Sequence, residues 1–226
     1  DAGTGIRTLS NTLNYSDYTN VIFILTHEHW DHIQGFPFFD FIYNIPQLHV
    51  FCPFPSAIDN MLALINGVNF PLSCSDIYSK LNIMNDLDTF HSQFNYQLTY
   101  IQTHHHGDCV GYRIQAPSLD ITYIPDNQLS LLPENRLEYQ AFVTFCLNTN
   151  IMIHDAHLIE ADLPKKQHWG HSLFLDTAQL ATDACVNECH FFHHEPDRSS
   201  TRITRMLDLA RSKYPDLSIY AAKEGV

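Results

Sequence analysis

Residues 26–32 have the sequence THEHWDH, which places three histidines and one aspartate within six residues. A combination of imidazole and carboxylate ligands suits zinc, iron or manganese. A solvated, histidine-rich turn would account for any one of these histidines. It does not account for the complete H-x-H-x-D-H spacing directly after an apolar run. The segment therefore predicts a metal site, with His27, His29, Asp31 and His32 as candidate ligands.

This segment follows the apolar run VIFIL at residues 21–25, whose β-branched and aromatic residues predict a buried strand. A strand that ends there delivers the segment to the edge of a sheet, where α/β proteins bind ligands. The same order of strand and polar ligand recurs at residues 103–108, 125–127, 154–157 and 193–195. One such strand end is normally a turn. Five of them in one chain predict a site that can hold two metal ions.

The composition is that of an acidic domain with a sizeable core. The chain has 226 residues, of which 45% are hydrophobic, and no repeat or low-complexity linker interrupts it. We therefore expect one domain over residues 1–226. With 12 basic and 25 acidic side chains, the formal net charge is −13. This charge argues against a basic track for nucleic acid and favours a small anion held by metal ions.

Cysteine usage and hydropathy suggest where the protein resides. The six cysteines match no disulfide scaffold, and the apolar context of Cys109, Cys146 and Cys185 predicts thiols in the core. Cys185 and Cys189 have the separation of a zinc half-site, but no second half follows. The sequence contains no transmembrane run and no signal peptide, so we expect a cytoplasmic setting without membrane contact.

Apolar periodicity predicts a cluster of strands followed by strands that alternate with helices. The predicted strands lie at residues 21–25, 94–102, 110–114, 119–124, 151–153, 190–192 and 217–221. The predicted helices lie at residues 58–65, 75–78, 133–147, 172–185 and 199–214. Ser75 and Ser172 are predicted helix caps, and Pro133 is predicted to lie in a first helical turn. This mixture is typical of a layered α/β architecture.

Several motifs resemble landmarks of the metallo-β-lactamase superfamily, and the resemblance covers nearly the whole chain. Besides H-x-H-x-D-H, they are HWDHIQGFPFF at 29–39, GYRI at 111–114, IHDA at 153–156, WGHS at 169–172 and FHHEP at 192–196. They are similar to the branch that contains ribonuclease Z, the phosphonate-pathway cyclic phosphodiesterase and cyclic-nucleotide phosphodiesterases. The resemblance implies an α/β fold with a four-layer αββα sandwich. It also implies that the first strands of that fold are absent, because residues 1–7 resemble the turn that follows them.

The resemblance further implies a dinuclear metal centre with two divalent ions, zinc in the first place and manganese or iron as alternatives. One ion would be bound by His27, His29 and His105, and the other by Asp31, His32 and His193. Asp126 would bind both ions. The family pattern His-Pro-Gly-Gly is replaced here by HHGD at 105–108. This departure leaves a one-residue ambiguity between His105 and its neighbours His104 and His106. A similar ambiguity remains between His193 and His194.

Three residues have implied catalytic roles. In the phosphodiesterase branch, a histidine at the place of His171 faces the scissile phosphate, and Asp155 would orient its ring. Asp31 would help to orient the attacking hydroxide. Residues 170–172 are predicted to open a helix, whose N-terminus favours anions. Glu28 points away from its ligand neighbours in an extended segment and is predicted to be solvated.

The sequence therefore predicts metal-dependent hydrolysis of a phosphodiester, with a small cyclic nucleotide as the leading substrate class. One alternative is a ribonuclease Z-like RNA endonuclease, but the chain has no Lys/Arg-rich insertion that could act as its basic arm. A lactonase or thioesterase is another, which the placement of His171 disfavours. An inactive metal-binding regulatory module is the non-enzyme alternative. We expect a small-molecule partner rather than nucleic acid, with a homodimer as one candidate assembly.

Overall fold

The structure, a computed structural model, describes residues 1–68, 70–129 and 136–223. Backbone contacts divide these residues into two units, which we call unit 1 (residues 1–94) and unit 2 (residues 95–223). Each unit contains one β-sheet together with helices, which confirms the mixed α/β class. The expectation of one hydrolase domain over residues 1–226 stays a prediction.

Unit 1 is built on a three-stranded parallel sheet. Its strands are β1 (Asn20–Ile24), β2 (Gln47–Phe51) and β3 (Leu81–Met84), with β2 in the centre. β1 confirms the strand predicted at residues 21–25, whereas the sequence pattern predicts neither β2 nor β3. Leu48 and Val50 of the central strand are fully buried, so the sheet contributes to the core of this unit.

The helices of unit 1 are short. They are α1 (Ile6–Thr12), α2 (Trp30–Ile33), α3 (Phe41–Asn44), α4 (Pro55–Leu62), α5 (Cys74–Tyr78) and α6 (Leu87–Gln93). The helix predicted at residues 58–65 begins earlier, at Pro55, because the fixed φ of proline suits a first helical position. Ser73 rather than Ser75 caps α5: its hydroxyl accepts from the Ser75 amide, and Asp76 accepts from the Ser73 amide in a capping box.

Unit 2 is built on a six-stranded mixed sheet with the strand order β4-β5-β6-β7-β8-β9. The strands are β4 (Gln97–Gln102), β5 (Val110–Ala116), β6 (Leu119–Ile124), β7 (Ile151–Asp155), β8 (Glu188–Phe192) and β9 (Ser218–Ala221). β4, β5 and β6 are antiparallel neighbours, and β6 to β9 are parallel. These strands confirm the sequence predictions, with small shifts at their ends.

Long helices accompany the parallel half of this sheet. The described helices of unit 2 are α7 (Arg136–Cys146), α8 (Leu163–Lys166), α9 (Phe174–Asp183) and α10 (Ser200–Lys213). The start predicted at Pro133 for the first of them lies outside the described residues. Phe142 of α7 and Phe174 of α9 are buried in one cluster with Phe191 of β8, so these helices share a core with the sheet.

Strand direction brings the predicted ligand segments of unit 2 to one edge of its sheet. β4, β6, β7 and β8 point the same way, because β5 is antiparallel to both of its neighbours. Residues 103–108, 125–127, 154–157 and 193–195 lie at the carboxyl ends of these strands. In α/β sheets, ligands bind at this edge. In unit 1, residues 26–32 follow the carboxyl end of β1 in the same way.

The cysteine predictions hold for two of three residues. Cys109 and Cys146 are buried as predicted, but Cys185 is exposed, so the prediction of a core thiol there is wrong. Cys185 follows the end of α9 with a φ of 52°, a left-handed turn that carries the chain to the surface. None of the helices in the described part of the chain combines the length and apolar character that crossing a bilayer requires.

Candidate functional site

The ligand-rich segment of unit 1 folds into a turn and one short helix. His29 directly precedes α2, and the His32 amide donates to the His29 carbonyl at 2.9 Å. The ring centroid of His27 lies 4.5 Å from that of His29 and 4.2 Å from that of His32. Asp31 Oδ2 lies 3.5 Å from His32 Nε2. Unit 1 therefore brings all four of its predicted ligands together.

The Asp1 carboxylate orients two of these imidazoles. Its Oδ2 accepts from His32 Nδ1 at 2.9 Å, so His32 keeps at Nε2 the lone pair that a metal needs. The Thr26 hydroxyl also donates to this carboxylate, at 3.1 and 2.9 Å from its two oxygens. Because the Thr26 hydroxyl hydrogen points at Asp1, the Thr26 oxygen can accept a hydrogen bond from His27 Nδ1, which lies 3.0 Å away. The lone pair of the neutral His27 ring then lies on Nε2.

Close backbone packing holds Asp1 against the ligand segment. The Ala2 amide donates to the His32 carbonyl at 2.6 Å, and the Gly35 amide donates to the Ala2 carbonyl at 2.8 Å. A Cβ atom on Gly35 would lie 2.1 Å from the Gly3 carbonyl oxygen, so only glycine fits at this crossing. Sequence reasoning assigns no role to Asp1, because its partners are 25 and 31 residues away along the chain.

In unit 2, two predicted ligands converge on the buried carboxylate of a third, Asp126. His105 Nε2 lies 3.2 Å from Asp126 Oδ2, and His193 Nε2 lies 3.4 Å from Asp126 Oδ1. His105 Nδ1 donates to the Gly170 carbonyl at 2.9 Å, so in the neutral ring the Nε2 lone pair faces the carboxylate. A cation placed between the Nε2 lone pair of His105 and the Asp126 carboxylate would interact favourably with both. The donor set therefore fits a divalent metal ion.

The histidines on either side of His105 have other contacts. The exposed ring of His104 lies 3.7 Å from Glu138, through its Nε2. His106 Nε2 donates to the His168 carbonyl at 2.8 Å. The structure thus brings His105 to the Asp126 carboxylate and directs both neighbours elsewhere, as the assignment of His105 requires.

His193 and His194 also differ. His193 has a φ of 54°, a left-handed backbone that is uncommon for a residue with a Cβ atom and is found at functional sites. Both ring nitrogens of His194 are buried and form no hydrogen bond among the described residues, and burial lowers its pKa. The geometry therefore favours His193 over His194 as the ligand, because His193 lies against the Asp126 carboxylate.

A buried carboxylate orients His171. The Nδ1 atom of His171 donates to Asp155 Oδ2 at 2.6 Å, and Asp155 is fully buried. The same carboxylate accepts from the amides of Asn127 and His157, at 3.2 and 2.9 Å. His171 therefore keeps Nε2 as the nitrogen that can contact a substrate. A histidine held in this way can bind a phosphoryl oxygen or exchange a proton with it.

The prediction that Ser172 caps the following helix is wrong. α9 begins only at Phe174, and the buried hydroxyl of Ser172 donates to the Asn127 carbonyl at 2.6 Å. The same oxygen accepts from the Leu129 amide at 3.0 Å. The Ser172 hydroxyl thus forms tertiary hydrogen bonds instead of capping the helix. Because the helix starts beyond His171, its N-terminus gives no support to an anion site at that residue.

Sequence reasoning also assigns no role to His157, which is buried beside His171. The two rings stack with centroids 4.4 Å apart and 20° between their planes. His157 Nδ1 donates to the His193 carbonyl at 2.9 Å, and its Nε2 lies 3.0 Å from Glu195 Oε2. Burial and the nearby His171 lower the pKa of His157. Its place two residues after Asp155, at the same strand end, is the one sequence signal that points to it.

The predicted site residues form two sets, one in each unit. The sets are His27, His29, Asp31 and His32 in unit 1, and His105, Asp126, Asp155, His171 and His193 in unit 2. Glu28, predicted to be solvated, is exposed and accepts from the Asn60 side chain at 2.6 Å.

Fold and side-chain chemistry together define a metallohydrolase-like protein, and comparison gives the family. A sequence profile of the β-lactamase superfamily domain matches residues 1–194, and the chain belongs to this family. The sequence has no significant match among curated proteins.

Solved structures show the same fold. The metallo-β-lactamase fold protein YhfI from Bacillus subtilis is 17% identical, with a TM-score of 0.71 over 100% of this chain and 84% of that one. Human tRNase Z, short form, is 14% identical, with a TM-score of 0.63 over 100% of this chain and 85% of that one. A diphosphatase from the PhnP family is 15% identical, with a TM-score of 0.58 over 97% of this chain and 75% of that one. The chain therefore has the metallo-β-lactamase fold.

Replacement of Gly170 by alanine should displace His105. Gly170 has a φ of 78°, and a Cβ atom there would lie 2.7 Å from His105 Nδ1. The imidazole would have to leave the Gly170 carbonyl, and loss of such an orienting contact weakens metal binding about 10–100-fold. We expect Gly170→Ala to weaken zinc binding at least about tenfold, measured by competition with a chelating dye.

Gly107→Ala is the matched control. Gly107 also has a φ of 78°, but a Cβ atom there meets nothing within 4 Å. Both variants therefore strain the backbone, and only Gly170→Ala disturbs an imidazole. Equal zinc affinities in the two variants would contradict the orienting role of the Gly170 carbonyl.

Proposed function

We propose that this protein is a metal-dependent hydrolase that cleaves a phosphodiester, and that its substrate is a small cyclic nucleotide. The observation that carries the proposal is the pair of His171 and the buried Asp155, in the same unit as Asp126 and its two imidazoles. Membership of the β-lactamase superfamily supports hydrolysis. The likeness to structures named as a tRNase Z and a diphosphatase supports a phosphate ester as substrate.

The proposed cofactors are two divalent metal ions, zinc in the first place. The proposed ligands of one ion are His27, His29 and His105, and those of the other are Asp31, His32 and His193. Asp126 is the proposed ligand of both ions. Hydrogen bonds at Nδ1 orient the rings of His27, His32 and His105, which supports this assignment. When bound, divalent ions supply Lewis-acid stabilisation of developing negative charge and lower the pKa of water.

The side chains of the protein would position the phosphate and move protons. Asp155 accepts the Nδ1 proton of His171 in a hydrogen bond and would stabilise the imidazolium form of that ring. In that form the Nε2 proton can be donated to a phosphoryl oxygen or transferred to the departing oxygen. The exposed Asp31 would orient the attacking water. Asp155 also accepts from two backbone amides, which hold its carboxylate in place beside the imidazole.

Charge favours a small substrate over a long polyanion. A formal net charge of −13 repels nucleic acid at a distance. Two basic residues near His157 are already paired, Lys166 with Glu195 and Arg198 with Asp162. They therefore offer little free charge for phosphate contacts along an RNA. A ribonuclease Z-like endonuclease is the second candidate, because the fold likeness to human tRNase Z supports it.

Elemental analysis should find about two transition-metal ions per chain, because the proposed ligands are too many for one tetrahedral ion. Asp126→Ala should lose more metal than Glu28→Ala, since Asp126 is buried between two imidazoles and Glu28 is exposed. The Glu28 variant is the control for a lost carboxylate. A metal content at or below one ion in the unaltered protein, even after metal is supplied, would overturn the dinuclear proposal.

His171→Ala should lower turnover by about 10²–10⁴-fold, the range for general acid–base groups, while the metal content is kept. The assay is hydrolysis of bis-p-nitrophenyl phosphate and of a cyclic mononucleotide, with metal content measured on the same preparation. His168→Ala is the control, since His168 is exposed in the same turn and only its carbonyl is used. Loss of metal together with activity in His171→Ala would show that His171 is a ligand instead.

A further inference from the structure

Trp169 lies two residues before His171, with half of its side chain exposed (50%). Tryptophan has a large aromatic face, and stacking on such a face is one way in which proteins bind bases. Neither metal binding nor the proposed proton transfer uses this ring. Because Trp169 lies next to the proposed phosphate contact His171, its ring could contact another part of the substrate.

The turn that carries Trp169 is held in place on both sides. The His168 carbonyl accepts from His106 Nε2 at 2.8 Å, and the Gly170 carbonyl accepts from His105 Nδ1 at 2.9 Å. The Trp169 amide donates to the Lys166 carbonyl at 3.0 Å. Two peptide units separate Trp169 from His171, so their Cα atoms are at most about 7.6 Å apart. These contacts hold the backbone of Trp169 at a short distance from the histidine that would face phosphate.

One face of the indole already has a partner. The Lys166 ammonium lies 4.7 Å from the ring centroid, a cation–π contact. Lys166 also pairs with Glu195. Lys166 is therefore anchored. Among the described residues, no aromatic ring stacks on the other face of Trp169.

We propose that Trp169 is the base-binding residue of this site: its open face stacks on the nucleobase of a small nucleotide whose phosphate lies at His171. This inference rests on the proposed function and names the part of the substrate that the metals and His171 do not contact. Stacking on indole suits every base, because each has a π face, so Trp169 would select nucleotides over base-free phosphodiesters without selecting one base.

Fluorescence tests this directly, because the chain has only two tryptophans, Trp30 and Trp169. In Trp30→Phe, all indole emission comes from Trp169. We expect adenosine monophosphate to quench this emission in a saturable way and ethylene phosphate, a cyclic phosphodiester without a base, to leave it unchanged. Quenching that does not saturate in Trp30→Phe would overturn the proposal.

Kinetics provide the second test. Trp169→Leu should raise KM for cyclic adenosine monophosphate about tenfold, a loss of ~1.4 kcal/mol, and change KM for ethylene phosphate less than twofold. Trp169→Tyr should restore most of the loss, since it keeps an aromatic face. Equal changes for both substrates, or no change for the nucleotide, would contradict base stacking. If the unaltered protein cleaves neither substrate, the proposed function fails, and the fluorescence titration still decides whether Trp169 binds a base.

Discussion

The buried carboxylate of Asp155 is the constraint on which the arrangement of unit 2 depends. A carboxylate removed from water is stable only when donors surround it, and here the His171 ring and the amides of Asn127 and His157 do so. These donors belong to three separate strand ends and turns, so one buried group fixes their relative positions. Asn127 adjoins Asp126, and the proposed metal ligand and the proposed phosphate contact are therefore set by the same hydrogen bonds.

The same rule governs the proposed metal ligands. Asp1 holds His32, Thr26 holds His27, and the Gly170 carbonyl holds His105, each through Nδ1. The tautomer of each imidazole is thereby fixed by a protein oxygen. Ligand geometry in both units is thus built into the hydrogen bonds of the folded chain, which lowers the entropy lost when a metal binds. Glycines at the backbone crossings allow this close approach.

The strand ends and the H-x-H-x-D-H segment could be predicted because apolar runs and ligand types are local properties of the sequence. β2 and β3 could not, since polar residues interrupt both: His49 and Asn82 lie opposite each other and bond at 2.9 Å. The role of Ser172 could not be predicted from the sequence either, because its hydroxyl bonds to residues more than forty positions away. The positioning groups Asp1 and His157 likewise act through long-range contacts. The sequence predicts candidate ligands, and the tertiary fold gives adjacent histidines different contacts.

The proposed substrate of this acidic protein is a small phosphodiester. The most direct test is kcat/KM for a cyclic mononucleotide and for a transfer-RNA precursor, each at low and moderate salt. We predict a value at least about tenfold higher for the cyclic nucleotide, with a shallow salt dependence, because few phosphate contacts release few counterions. Faster cleavage of the precursor RNA, with activity that falls steeply as salt rises, would contradict the account and favour an RNA endonuclease.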